Sequence, residues 1–368
     1  MNLRKFVFSL HQIAGLVFGL ILLIIGLTGS AIVFWKPIDR ALNPEMYRPG
    51  SAPAASLERL MAAARKAHPN LKPEGVSVQE NHVYSVSFTT PEKQYLEVAV
   101  DPVSYEVRAS RVWEHSLVGV LYRLHYTLLA GEVGGWITGI AAVALLALGI
   151  TGVVLWPGWK KWQAGTKLRW SANSRILSYD LHKLTGITTS VFMVILGLSG
   201  AYFMFNAPFK AAVYALTGTP QTKEPMSTIA AGAPLSPDTV LAKARPMLAG
   251  AEFERLRLAV KPTDTVDVFG RFKGEGPVRE RLHIHLDQYS GRVLQVEDGR
   301  KPNTADFLLG WLATLHFGHY GGLFTQIMYV FVGLAPGGLF LTGFWLWLKK
   351  LRQPAAHKAR SPQATPTR

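Results

Sequence analysis

Four stretches of the chain are almost unbroken in apolar residues, at about 7–35, 136–156, 177–205 and 323–348. Roughly 20 apolar residues at 1.5 Å each cross a bilayer's hydrocarbon core, so each stretch is long enough for a transmembrane helix. The two long segments between them follow a different pattern. "SLERLMAAARKAHP" (56–69) and "SPDTVLAKARPML" (236–248) carry apolar residues at helical spacing, whereas "VYSVSFTT", "QYLEVAVDP", "VDVFGRF" and "RLHIHLDQYSGRVLQVEDG" alternate as strands do. The pattern predicts a membrane α-helical fold, a four-transmembrane-helix bundle carrying two α+β domains. Its divisions are a first span (1–36), an α+β domain (37–120), an interfacial segment with the second span (121–156), a short loop (157–176), the third span (177–205), a second α+β domain (206–305), an interfacial segment with the fourth span (306–348) and a tail (349–368). Pro336, in "LAPGG", predicts a kink in the last span.

The two halves keep the same steps. His11 to Gly26 equals His182 to Gly197, and His11 to Pro37 equals His182 to Pro208. Likewise "LH" at 124–125 leads to Thr151-Gly152 as "LH" at 315–316 leads to Thr342-Gly343. "DPVSYEV" and "DQYSGRVL" occupy matching places after a strand. The chain reads as a tandem internal duplication, and duplicated spans commonly enclose a site between the halves.

Charge fixes the orientation. The net charge is +15, and much of it flanks the spans at Arg4, Lys5, Lys160, Lys161, Lys167, Arg169, Arg175 and the tail. That is the distribution of cytoplasmic loops rather than of a nucleic-acid surface. Both termini and the 157–176 loop are therefore expected in the cytoplasm, with the two α+β segments outside. The first apolar run outlasts a signal-peptide h-region and reads as a retained span. There are no cysteines, which excludes disulfides, thiolate metal sites and covalently attached haem.

Histidine inside a membrane is costly and by default functional. His11 and His182 lie at equal depth toward the cytoplasm, and His125 and His316 at equal depth on the outer side. Two imidazoles facing each other across a bundle suit axial ligation of a haem, and two such levels suit an electron wire. The expectation is two haem b groups, the inner on His11 and His182, the outer on His125 and His316. A zinc or copper site wants more ligands than two, and the carboxylates near these histidines, Asp180 and Glu132, are interfacial and unmatched between the halves. His319, three residues past His316, is an alternative ligand or a neighbour. Small pairs on every span (Thr28-Gly29, Thr151-Gly152, Ser199-Gly200, Thr342-Gly343) fall level with the histidines and leave room for a flat macrocycle, or serve ordinary helix packing. From His11 to Trp35, 24 residues correspond to roughly 36 Å of helix, the expected order of the separation between the two sites before tilt. His283 and His285 share a strand face, which could bind metal but reads first as a surface pair on a sheet. Neither a dinucleotide fingerprint nor a hydrolase motif is present, so reducing equivalents would come from a separate, unidentified cytoplasmic electron donor.

"LHQIAGLVFGLILLIIGLTG", "LHYTLLAGEVGGWITGIAAVALLALGITGVVLWP" and "LHFGHYGGLFTQIMYVFVGLAPGGLFLTGFWLW" resemble the PepSY-associated transmembrane family over about residues 5–350, and the α+β segments resemble PepSY domains. The resemblance implies a bacterial inner-membrane protein with two periplasmic domains. It further implies kinship with FoxB- and PiuB-type siderophore-linked proteins, with haem ligation by His11, His182, His125 and His316. The implied activity is reduction of a ferric siderophore, releasing Fe(II). A non-redox membrane protein whose PepSY-like domains bind a peptide, protease or transporter partner is the alternative.

Overall fold

The computed structural model describes residues 2–230, 232–248, 250–272 and 281–352. The greater part of the basic tail, from 353 onward, lies outside the described residues. The elements in chain order are α1 (Leu3–Ile32), α2 (Trp35–Leu42), α3 (Leu57–Ala67), β1 (Pro73–Gln79), β2 (Val83–Thr89), β3 (Tyr95–Val100), β4 (Val107–Val112), α4 (Leu117–Thr127), α5 (Gly131–Leu155) and α6 (Trp162–Thr166). They continue as α7 (Ser174–Met204), α8 (Asn206–Thr217), α9 (Pro237–Ala244), β5 (Glu252–Arg257), β6 (Thr265–Arg271), β7 (Arg281–Asp287), β8 (Val293–Asp298), α10 (Thr304–Phe317) and α11 (Gly322–Leu351).

Four helices, α1, α5, α7 and α11, are long and apolar enough to cross a membrane. They form a ring in which α1 and α7 each pack against both α5 and α11. Glycines set two of these contacts at backbone distance. A Cβ at Gly26 of α1 would meet the Gly333 carbonyl of α11 at 2.3 Å. One at Gly197 of α7 would meet the Leu146 amide of α5 at 2.5 Å. Small residues let membrane helices approach this closely, which is where their van der Waals attraction comes from. α11 runs unbroken through Pro336.

The two segments between spans, read from the sequence as separate domains, contribute four strands each to one antiparallel sheet of order β4-β3-β2-β1-β5-β6-β7-β8. The halves join where Gly75, Val76 and Ser77 of β1 pair with Arg257, Leu256 and Arg255 of β5. Gly75 has no room for a side chain, since a Cβ would lie 2.5 Å from the Leu256 carbonyl. α3 and α9 cover one face and bury Leu60, Val76, Val86, Val240, Leu256 and Ile284 against it. These helices are also linked at their starts, where Asp238 accepts hydrogen bonds from Ser56 Oγ and from the Leu57 amide at 2.6 Å. After a strand in each half, one aspartate shapes the turn. Asp101 Oδ1 accepts the amides of Val103 and Ser104, and Asp287 Oδ1 those of Tyr289 and Ser290. Such side-chain turns are a property of aspartate's short carboxylate.

The other sheet face looks toward the bundle. Arg111, just before the end of β4, reaches across to Asp39 of α2 in a two-armed ion pair, both arms at 2.8 Å, and also bonds Glu97 of β3. Tyr47 donates to the same Asp39. This buried network ties the sheet to the segment that follows α1. At the opposite end of the bundle, Asp180 of α7 binds Arg169 from the 157–176 loop at 2.8 Å and Lys183 at 2.7 Å. Asp180, unmatched between the halves in the sequence, therefore fastens that loop to α7.

Candidate functional site

The bundle brings the four histidines together in two pairs. His11 of α1 and His182 of α7 face each other with ring centroids 6.3 Å apart. His125 of α4 and His316 of α10 do so at 6.4 Å. His316, not His319, is the residue opposite His125. His319 lies to one side, with Nδ1 2.6 Å from Gln326 Nε2, and lines the same cavity.

Each ring is held through its Nδ1. His11 Nδ1 lies 2.8 Å from Thr151 Oγ1, His182 Nδ1 3.0 Å from Thr342 Oγ1, and His316 Nδ1 2.8 Å from Ser199 Oγ. His125 Nδ1 lies 2.8 Å from the Ile25 carbonyl, with Thr28 Oγ1 at 3.4 Å. These contacts fix the tautomers. Thr151, Thr342 and Ser199 each donate their one hydroxyl proton to a carbonyl a turn earlier, at 2.6, 2.7 and 2.7 Å. Toward the histidine they are left to accept. A carbonyl such as Ile25's only accepts. So Nδ1 carries the proton in all four rings, and Nε2 keeps a lone pair. No hydrogen bond to any of these four Nε2 atoms is found among the described residues. An imidazole oriented through its Nδ1–H is the usual arrangement behind a metal-ligating Nε2.

The spacing agrees with that chemistry. With metal–nitrogen bonds of about 2 Å, two imidazoles on opposite sides of one metal have centroids about 6 Å apart. A bare ion between two rings would be under-coordinated, but the surrounding space is large. A cavity of about 1320 Å³ surrounds His11 and His182, and one of about 1420 Å³ lies around His125 and His316. Both exceed the roughly 300–1,000 Å³ of common small-ligand pockets. A planar tetradentate macrocycle would supply the missing ligands and fill such space.

The small pairs on the spans do two jobs. Their hydroxyls hold the rings, and their glycines admit them. A Cβ would stand 2.8 Å from His125 Cε1 at Gly29, 3.3 Å from His182 Cε1 at Gly343, 3.5 Å from His11 Cε1 at Gly152 and 4.0 Å from His316 Cε1 at Gly200. Only Gly29 strictly requires glycine. The hydroxyl role of Thr151, Ser199 and Thr342 was the part missed from the sequence, although the pairs themselves stood out.

His125 sits beside Thr28, and His316 beside Ser199. Thr28 is 17 residues from His11 along α1, and Ser199 is 17 from His182 along α7, or about 25 Å at 1.5 Å per residue. This corrects the 36 Å expectation, which placed the outer level at Trp35, beyond where the outer rings dock. The two cavities share Leu22, Leu145 and Pro336, so a single layer of apolar side chains separates them.

The mouths are cationic. Arg4, Lys5, Arg175 and Lys350 line the inner cavity. The outer one is roofed by the sheet and lined by Lys36, Arg255, Arg271 and Arg281, which outnumber Glu97 and Glu114, together with Tyr95, Trp113 and Phe272.

Four apolar helices long enough to span a membrane, a strand-rich domain over one end and two pairs of histidines beside large cavities define a membrane protein of the helical-bundle kind. The chain belongs to the family described as the PepSY-associated TM region, whose profile matches residues 8–350. No curated protein matches the chain.

Proposed function

We propose that the protein is an inner-membrane di-haem b electron carrier that reduces a ferric siderophore in the periplasm, of the FoxB/PiuB-like kind. The observation that carries this is the pairing of the four histidines, two by two, at the ring spacing of a bis-imidazole metal centre, each tied through Nδ1 with its Nε2 left without a hydrogen bond among the described residues. His11 with His182, and His125 with His316, would each hold a haem, which would supply one-electron transfer there. Thr151 and Thr342 orient the inner ligands, and Ser199 with the Ile25 carbonyl the outer ones. The cations at the inner mouth match porphyrin carboxylates. Leu22, Leu145 and Pro336 keep water from bridging the two levels.

The substrate would dock under the sheet. Lys36, Arg255, Arg271 and Arg281 attract an anionic iron chelate, while Tyr95, Trp113 and Phe272 offer flat apolar surface to its organic part. One electron converts bound Fe(III) to Fe(II), a softer ion that oxygen chelators hold less tightly. The electron enters from a cytoplasmic donor at the basic inner mouth. Positive charge on the 157–176 loop supports the cytoplasmic placement of that end.

The test is spectroscopic and then kinetic. Purified protein is expected to show a low-spin b-type spectrum with two haems per chain by pyridine haemochrome. Once reduced and freed of reductant, it should deliver two electrons per chain to ferric siderophore, read as ferrozine-trapped Fe(II). Colourless protein from haem-replete cells would overturn the reading in favour of a non-redox partner-binding role. Haem-loaded protein that reduces no ferric siderophore would overturn the substrate alone.

A further inference from the structure

Away from both histidine pairs, the bundle-facing side of the sheet holds a second group of ligand-type side chains. His283 and His285 alternate on β7, Asp267 lies opposite His285 on β6 and Glu297 opposite His283 on β8. The sequence placed the histidines as an exposed pair. Instead His285 is 7 % exposed and Asp267 fully buried. They are covered because Asp267 and His285 are directly paired in the register of a central strand.

The distances converge on one point. His285 Nδ1 lies 2.9 Å and His283 Nε2 3.6 Å from Asp267 Oδ1. Two donors each about 2 Å from a tetrahedral metal stand about 3.3 Å apart, in the middle of that range. Both nitrogens are buried and make no hydrogen bond, so the close approach of His285 to the carboxylate lacks hydrogen-bond direction. Behind the rings, Glu297 spans both. Its Oε2 lies 3.7 Å from His283 Nδ1 and its Oε1 3.8 Å from His285 Nε2. A carboxylate on the far nitrogen is the usual support for a metal-bound imidazole. The rest of Asp267 is engaged. Arg257 Nε bonds Oδ2 at 3.0 Å, its terminal nitrogen bonds the same oxygen, and Thr265 Oγ1 donates to Oδ1 at 2.8 Å. These contacts fix the carboxylate with Oδ1 turned toward the two nitrogens. Phe269 stacks on His283 at 4.2 Å and limits its ring rotation.

We propose that Asp267, His283 and His285 form a divalent transition-metal site, with Glu297 supporting both imidazoles from behind. Two histidines and one carboxylate suit Zn(II) or Fe(II) and leave a coordination position for water or another ligand. The site stands independently of the haem assignment, since none of its residues belongs to either pair.

The experiment uses full-length protein in detergent, dialysed to equilibrium against Zn(II) or, without oxygen, Fe(II), with bound metal counted by mass spectrometry. One ion per chain is expected beyond any haem iron. Asp267→Asn and His285→Ala should each abolish it, and Glu297→Gln should weaken it about 10- to 100-fold. His11→Ala and His125→Ala should leave it intact. X-ray absorption at the zinc edge on the unaltered protein should give two imidazole nitrogens and a carboxylate oxygen, a readout that does not depend on any variant folding. Binding of neither ion, or zinc retained unchanged in both Asp267→Asn and His285→Ala, or a zinc shell without imidazole, would overturn the proposal and leave a metal-free ion cluster. Binding of one ion but not the other supports the site and identifies the occupant.

Discussion

The two histidine pairs reach almost the same ring separation by different means. The inner histidines stand on spanning helices and are held by threonines of the neighbouring spans. The outer ones stand on short helices that precede the spans, one held by a serine hydroxyl and the other by a backbone carbonyl. Supports of three kinds that arrive at 6.3 and 6.4 Å indicate that the spacing is the constrained quantity, and the supports are whatever each helix environment supplies. The surroundings differ too. The inner cavity meets a basic loop, whereas the outer one lies beneath the sheet.

The comparison breaks most completely at the ligands. His11→Ala or His182→Ala is expected to remove one haem of two and spare the outer, and His125→Ala or His316→Ala the reverse, both read by pyridine haemochrome. His319→Ala should leave both haems. Next in size is the anchor of the sheet. Asp39→Ala strips Arg111 of its two-armed partner in a buried network and should cost about 3 kcal/mol, seen as a lower midpoint in thermal unfolding of the sheet. Glycine separates the levels further. Gly29→Ala forces His125 to move and should lower outer haem occupancy, while Gly152→Ala, at ordinary contact distance from His11, should leave inner occupancy unchanged.

The supports predict a subtler asymmetry. Thr151→Val removes the acceptor for His11 and should speed inner haem loss about 10- to 100-fold in a transfer assay to apomyoglobin. Thr28→Val should change outer haem loss little, because the Ile25 carbonyl still holds His125. The smallest effect concerns acid. Amides of Val103 and Ser104 and the Arg108 guanidinium hold Asp101 down to about 2, below its ordinary 3.8. Its contribution is full above the ordinary value and is lost as pH falls toward 2. Asp101→Asn should therefore lower stability at neutral pH by about 1–2 kcal/mol, allowing for partial exposure, and lower it progressively less in acid.

Much of this arrangement is written in sequence order. The spans follow from run length, and the pairing of His11 with His182 follows from equal steps in two halves. What escaped notice depends on contacts between distant residues. That Thr151 accepts from His11 needs the rotation of α5 about its axis, which a nearly uniform apolar helix does not encode. The joining of β1 to β5 needs the register of strands almost 180 residues apart. Asp267 is 16 residues from His283 in the chain and adjacent to it only across a strand pair, so the two histidines looked alone.

The seam between β1 and β5 has a consequence for how the chain is made. β4 and β8 are the outer edges of the finished sheet, so the first four strands emerge with β1 as a bare edge, its backbone donors and acceptors unanswered. Its partner arrives only after two further helices have been threaded into the membrane. Until then the first half is a half-built sheet, open to mispairing with another nascent copy. The bulge between Pro73 and Gly75, at one end of that edge, interrupts its regularity while α5 and α7, which stand between β1 and β5 in the chain, are still to be made.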